Sequence, residues 1–106
     1  MVMRFKAIVK IIGTAGENRK LVRIYYPETE RHKESWRTIE VYSLATDLPP
    51  KGEHLVYRQD HIRAGHILNA YTLGSNDNDC HSFILGKISR AQPLEESFDP
   101  RWEIKF

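Results

Sequence analysis

The chain has very little cysteine. Cys80 is the only one, so no internal disulfide can form and nothing requires an oxidising compartment. No apolar run approaches the roughly 20 residues that a membrane-spanning helix needs, so no membrane partner is expected. The opening, Met1 to Lys10, mixes Arg4, Lys6 and Lys10 into its apolar residues and has no small-residue cleavage site. That argues against a secretory leader and predicts a cytoplasmic location. Large net charge is also missing. Sixteen Lys and Arg against fourteen Asp and Glu leave +2, too near neutral for a protein that coats nucleic acid but compatible with a local basic face.

The motifs of common chemistries are absent too. Gly13-Thr14-Ala15-Gly16 is not followed by the Lys-Ser or Lys-Thr of a phosphate-binding loop. Asn76-Asp77-Asn78-Asp79 lacks the turn glycine and the bidentate glutamate of a calcium loop, and reads as a hairpin turn. His54, His61, His66, Cys80 and His81 show no zinc-ligand spacing, so neither a metal nor a cofactor is expected. Cys80 and His81 are strand neighbours aimed at opposite faces, which excludes a nucleophile–base pair; Cys80 reads as a half-buried small hydrophobe. No carboxylate pair sits in surroundings that would raise a pKa. An enzyme is not indicated.

What remains is a chain of 106 residues, 41% hydrophobic and 10% aromatic, enough for one domain over 1–106 with one core. Its basic bias is N-terminal: residues 1–30 carry six basic side chains against three acids, residues 61–106 five against six. The first segment fits both a helical stripe (Phe5, Ile8, Ile12, Ala15) and a strand alternation; a helix over 4–15, stopped near Gly13 to Gly16, is preferred. Leu21 to Tyr26 reads as a β-branched and aromatic strand halted by Pro27. Glu28 to Glu34 is an exposed polar connection.

Trp36 to Ala45 reads as the next strand, with Trp36, Thr38, Glu40 and Tyr42 on one face and Arg37, Ile39, Val41 and Ser43 on the other. Asp47 to Gly52 is a turn, His54 to Tyr57 a short strand, and Gln59 to Gly65 a polar crossing. His66–Leu73 and Cys80–Leu85 form a hairpin around Gly74 to Asp79, and Trp102 to Phe106 again alternates. The fold class is therefore mainly β: a small bent antiparallel sheet or a small barrel, with one N-terminal helix. Ile24, Ile39, Phe83, Leu85 and Ile88 are the expected core.

The set Ile24-Tyr25-Tyr26, Arg37-Thr38-Ile39-Glu40, Ile67-Leu68-Asn69-Ala70-Tyr71 and His81-Ser82-Phe83-Ile84-Leu85-Gly86-Lys87-Ile88 resembles the WYL domain family. That family's pattern is an apolar strand ending in Tyr, then Arg-x-x-x-Pro, then a Trp-Tyr-Leu-type strand ending in Ala-Tyr. It closes on Arg-Thr-Phe-x-Leu-x-Arg-Ile. The resemblance spans about residues 5–100 and is one of order and spacing. His66-Ile67-Leu68 stands in the Trp-Tyr-Leu position, Val41 in that of the proline, and His81 in that of the arginine before Thr-Phe.

The resemblance implies an Sm-like or SH3-like barrel over about 21–100, a non-enzymatic sensing part of bacterial and phage-defence regulators. Its ligand would be a nucleotide or short single-stranded nucleic acid on a basic strand face. The ligand-binding candidates are then Arg37 as a forked phosphate clamp, Lys87 as a point charge and His81 as a titratable contact. Tyr25 and Tyr71 are the stacking surfaces. A different class of function is an interaction module of a larger regulatory assembly, with a regulatory protein as partner or a homodimer formed through edge strands. The 28–34 loop and Trp36 would then be the docking surface.

Overall fold

Residues 20–26 and 35–45 are rich in β-branched and aromatic side chains, and they supply the two strands around which the sheet is laid. A computed structural model of the chain describes residues 3–30, 33–58 and 61–106. Met1 and Val2, Arg31 and His32 of the 28–34 connection, and Gln59 and Asp60 of the 59–65 crossing lie outside the described residues. The elements in chain order are α1 (Phe5–Asn18), β1 (Lys20–Tyr26), β2 (Ser35–Ala45), β3 (His54–Leu55), β4 (Ile67–Thr72), β5 (His81–Ile84), a single 3-10 turn (Leu85–Lys87) and β6 (Arg90–Ser97).

The six strands make one antiparallel sheet ordered β5-β4-β2-β1-β6, with β3 pairing β2 off that path. Of the two expected forms, the open sheet is the one present: β5 and β6 are its edges and it does not close into a barrel. β2 pairs β1 along its first half (Tyr25 beside Trp36, Ile24 beside Arg37, Val22 beside Ile39) and β4 along its second. Beyond Val41 a bulge shifts the register. An extra residue in one strand exchanges the faces after it. Leu44, beside Leu68 and Leu55, therefore joins the core, while Ser43 pairs with Asn69.

One face of the sheet carries Val22, Ile24, Ile39, Val41, Leu44, Leu68, Ala70 and Phe83, all buried, with Leu85 and Ile88 from the turn beyond β5. The five side chains expected in the core are there. α1 covers this face with Ile8, Ile12 and Ala15, the i, i+4, i+7 stripe of an amphipathic helix. It runs past Gly13 and Gly16 rather than stopping at them, and ends at Arg19, whose left-handed φ of 54° directs its N–H back to Ala15 and Gly16. The two glycines serve packing. A Cβ on Gly13 would meet the ring of Tyr57, and one on Gly16 the ring of Phe106.

Two other expectations change. Residues 90–97 form an edge strand that sequence reading did not assign, because Pro93, Glu95 and Glu96 obscure its alternation. Trp102 to Phe106 is not a strand. It lies along the sheet as a strap, making one parallel bridge between Lys105 and Ser43, and the Lys105 N–H donates to the Tyr42 carbonyl at 2.8 Å. No helix among the described residues is long and apolar enough to cross a membrane.

Two substitutions test this packing. Phe83→Ala removes a ring that is 2% exposed and should cost about 3–5 kcal/mol in urea unfolding. Gly13→Ala improves helix propensity by about 1 kcal/mol but presses a methyl into Tyr57, so a net loss of about 1–2 kcal/mol is expected. A gain in stability would show that Tyr57 does not hold its place against the helix.

Candidate functional site

α1 covers only part of its face of the sheet. Past Phe83 the same face continues as Arg37, Thr72 and His81, and the β4–β5 loop folds beside it to enclose a cleft of about 860 Å³. Strand register decides which side chains meet there. Arg37 sits beside Ile24 on the core face of β2, Thr72 beside Ile39, and His81 beside Ala70.

Arg37 is the unusual group in this cleft. Its guanidinium lies 5.2 Å from the Tyr26 ring centroid and 5.7 Å from that of Phe83, and those rings pack edge to face at 5.0 Å. Its Nη2 is the single buried side-chain polar atom without a hydrogen-bond partner among the described residues. Burial among these groups lowers the pKa from the ordinary arginine value, with the nearby Tyr26 hydroxyl acting in the opposite direction. A half-buried guanidinium keeps its charge at neutral pH, so the site holds a cation whose hydrogen-bonding capacity is incompletely used.

His81 borders the same cleft. Its Nε2 is 3.1 Å from Asp77 Oδ1 and its Nδ1 is 3.3 Å from Thr72 Oγ1, which fixes the plane of the ring. Asp77 organises the β4–β5 loop. It accepts from the Asp79 N–H at 3.2 Å and the Ser75 hydroxyl at 3.0 Å, and these bonds hold its carboxyl below the usual range. Cys80 also lines the cleft; it is exposed rather than half-buried, with packing around the thiol raising its pKa. Glu30 adds a second carboxylate to the wall. The cleft is mixed in sign rather than uniformly basic.

The remaining candidates lie elsewhere. Lys87 belongs to the 3-10 turn and does not line the cleft. Tyr71 and Tyr25 both point to the opposite face of the sheet, since Tyr71 pairs with Glu40 and Tyr25 with Trp36. Tyr71 is buried beneath the strap, with the Arg101 guanidinium 4.0 Å above its ring and Trp102 edge-on at 6.2 Å. Beside it, the Glu40 carboxylate accepts from the Tyr42 hydroxyl at 2.5 Å and from Arg101 Nε at 3.2 Å. Glu40 is only 4% exposed, so these donors compensate a buried negative charge.

Tyr25 stays in the part of that face which the strap leaves open. Trp36 meets it edge to face at 5.5 Å, Arg90 lies 5.1 Å from its ring centroid, and Arg23 lies 4.8 Å from that of Trp36. Sequence reading missed Arg23 and Arg90 as neighbours of Tyr25. Alternation along β1 places Arg23 and Tyr25 on one face, but Arg90 enters only once β6 is known to pair with β1. Among the described residues no group of three or more His, Cys, Asp or Glu side chains is arranged to hold a metal.

Neither the known protein-family models nor the curated proteins provide a match to this chain.

The Glu40–Tyr42–Arg101 cluster predicts a specific alkaline behaviour. Burial first, and then the bond to Glu40, push the Tyr42 hydroxyl up to about 12, against about 10 for an unfolded tyrosine. A raised acid pKa means that the folded state holds its proton longer. The associated stability is complete below about pH 10 and is lost as pH rises towards 12. Unfolding free energy measured from pH 8.5 to 11.5 should fall more steeply for wild type than for Tyr42→Phe; parallel curves would remove Tyr42 as the source.

Proposed function

We propose that the protein is a non-enzymatic binding module whose cleft between β2, β4 and β5 takes an anionic ligand of nucleotide size. The observation that carries this reading is Arg37: a half-buried guanidinium in the wall of an open cleft, whose Nη2 is enclosed and has no partner among the described residues. Holding a half-buried cation with one enclosed, unused donor costs stability, and a phosphate or carboxylate in the cleft would offset that cost by pairing with the rest of the guanidinium.

The mixed walls favour a nucleotide over a plain polyanion. A nucleotide brings its phosphate to Arg37 while its ribose hydroxyls and base amino groups can donate to Glu30 and Asp77. The rings of Tyr26 and Phe83 supply apolar wall, and the imidazole of His81 adds a hydrogen-bonding contact. Resemblance to WYL domains supports the same class of ligand, because His81 and Arg37 stand at positions that the resemblance connects with an anion. Under this reading the module works as the sensing part of a regulatory assembly in the cytoplasm.

Titration with ribonucleoside mono-, di- and triphosphates tests the proposal. Arg37→Gln should weaken the best of them by about 1.5–3 kcal/mol, roughly tenfold to a hundredfold. His81→Ala should weaken binding by about fivefold, or about 1 kcal/mol, through loss of one hydrogen-bonding contact, and His81→Arg should bind more tightly. Equal affinities for wild type and Arg37→Gln would sink the cleft as the site.

A further inference from the structure

The open half of the sheet's other face carries a second arrangement that the cleft does not explain. Trp36 on β2, Tyr25 on β1 and Arg90 on β6 are lateral neighbours in the ladder, forming a row across three strands. The Arg90 guanidinium lies 5.1 Å from the Tyr25 ring centroid and 5.6 Å from that of Trp36, and Arg23 lies 4.8 Å from Trp36. Arg23 donates one hydrogen bond, to Gln92 Oε1 at 3.2 Å. The ion pairs found among the described residues join Arg58 to Glu17, His81 to Asp77 and Arg101 to Glu40. Arg23 and Arg90 are in none of them.

We propose that this row is a binding surface for single-stranded nucleic acid. A guanidinium laid on a ring keeps its N–H groups in its own plane, so stacking leaves them available to phosphate oxygens. The same planes and rings offer π faces to unpaired bases, which stack on aromatic side chains and on arginine. Adjacent strands lie about 4.8 Å apart, so the row from β2 to β6 spans about 10 Å, enough for about two or three bases. A duplex keeps its bases stacked and cannot use such a row. An acidic peptide would use the two charges and leave the rings without a role. The strap sets the limit of the surface: Arg101 and Trp102 cover Tyr71 and Tyr42, and Tyr25 and Trp36 lie beyond them.

This surface is independent of the Arg37 cleft, on the other side of the sheet, and the experiment keeps the two apart. Binding of fluorescein-labelled decathymidylate to the full chain is followed by anisotropy at several salt concentrations. Wild type should bind, with log affinity falling against log salt at a slope of about −1.4 for two phosphate contacts. The double variant Arg23→Gln, Arg90→Gln, which alters only surface side chains, should lose at least tenfold in affinity and most of that slope. Trp36→Leu should also lose about tenfold while keeping the slope, and Trp36→Phe should retain most of the binding. Arg58→Gln removes one positive charge on the helix side and should change affinity by less than about twofold. Three results would each overturn the proposal: no binding by wild type at 50 mM salt, affinities unaffected by the Trp36 and arginine changes, or competition by polyglutamate as effective as by unlabelled decathymidylate. Loss of oligonucleotide binding in Arg37→Gln, with the Trp36 variants silent, would assign the nucleic acid to the cleft and overturn it equally.

Discussion

The register of β2 is the constraint on which the other parts depend. This strand is hydrogen-bonded along one side to β1 and along the other to β4, and it also pairs β3 beyond the reach of β1. Each face of the sheet is therefore decided by which β2 residue points where. Until Val41 the odd positions face α1; the bulge then restores an apolar side chain, Leu44, to the core where strict alternation would have placed Ser43. Arg37 belongs to the same odd series as Ile39 and Val41. It is a charged residue at a core-facing position, just beyond the cover given by the helix, and this produces the cleft.

The two faces treat charge in different ways. On the strap side a buried carboxylate, Glu40, is neutralised locally by a tyrosine hydroxyl and an arginine. That arrangement is complete and structural, and it consumes Tyr71, whose ring becomes the floor under Arg101. On the helix side the charge is a half-buried cation, and one of its nitrogens, Nη2, is enclosed with no acceptor among the described residues. A completed network fixes a conformation, whereas an incomplete one leaves free energy for a ligand to recover.

Much of the fold was readable from local pattern. The strands at 20–26, 35–45, 67–72 and 81–84 follow from β-branched alternation bounded by turn residues, and Ile24, Ile39, Phe83, Leu85 and Ile88 are buried as their spacing requires. What could not be read came from tertiary contacts. Gly13 and Gly16 look like helix stops until Tyr57 and Phe106 are seen to need the space. β6 shows little apolar periodicity because an edge strand with one partner can be mostly polar. Of the five candidate ligand residues, Arg37 and His81 share a cleft. Tyr25 and Tyr71 fall on the far face for a simple reason: each pairs laterally with an even-numbered β2 residue before the bulge.

The edges of the open sheet also bear on how copies of this chain meet. Pro93 sits within β6 and has no N–H to give to any neighbour, so a strand arriving on that side would find the ladder interrupted. The opposite border, β5, is only four residues long. Neither border is a good template for unlimited strand addition, and the unequal pair disfavours head-to-tail stacking of sheets into fibres. An architecture that leaves its margins unsealed thus resists strand-by-strand growth at both edges without closing into a barrel.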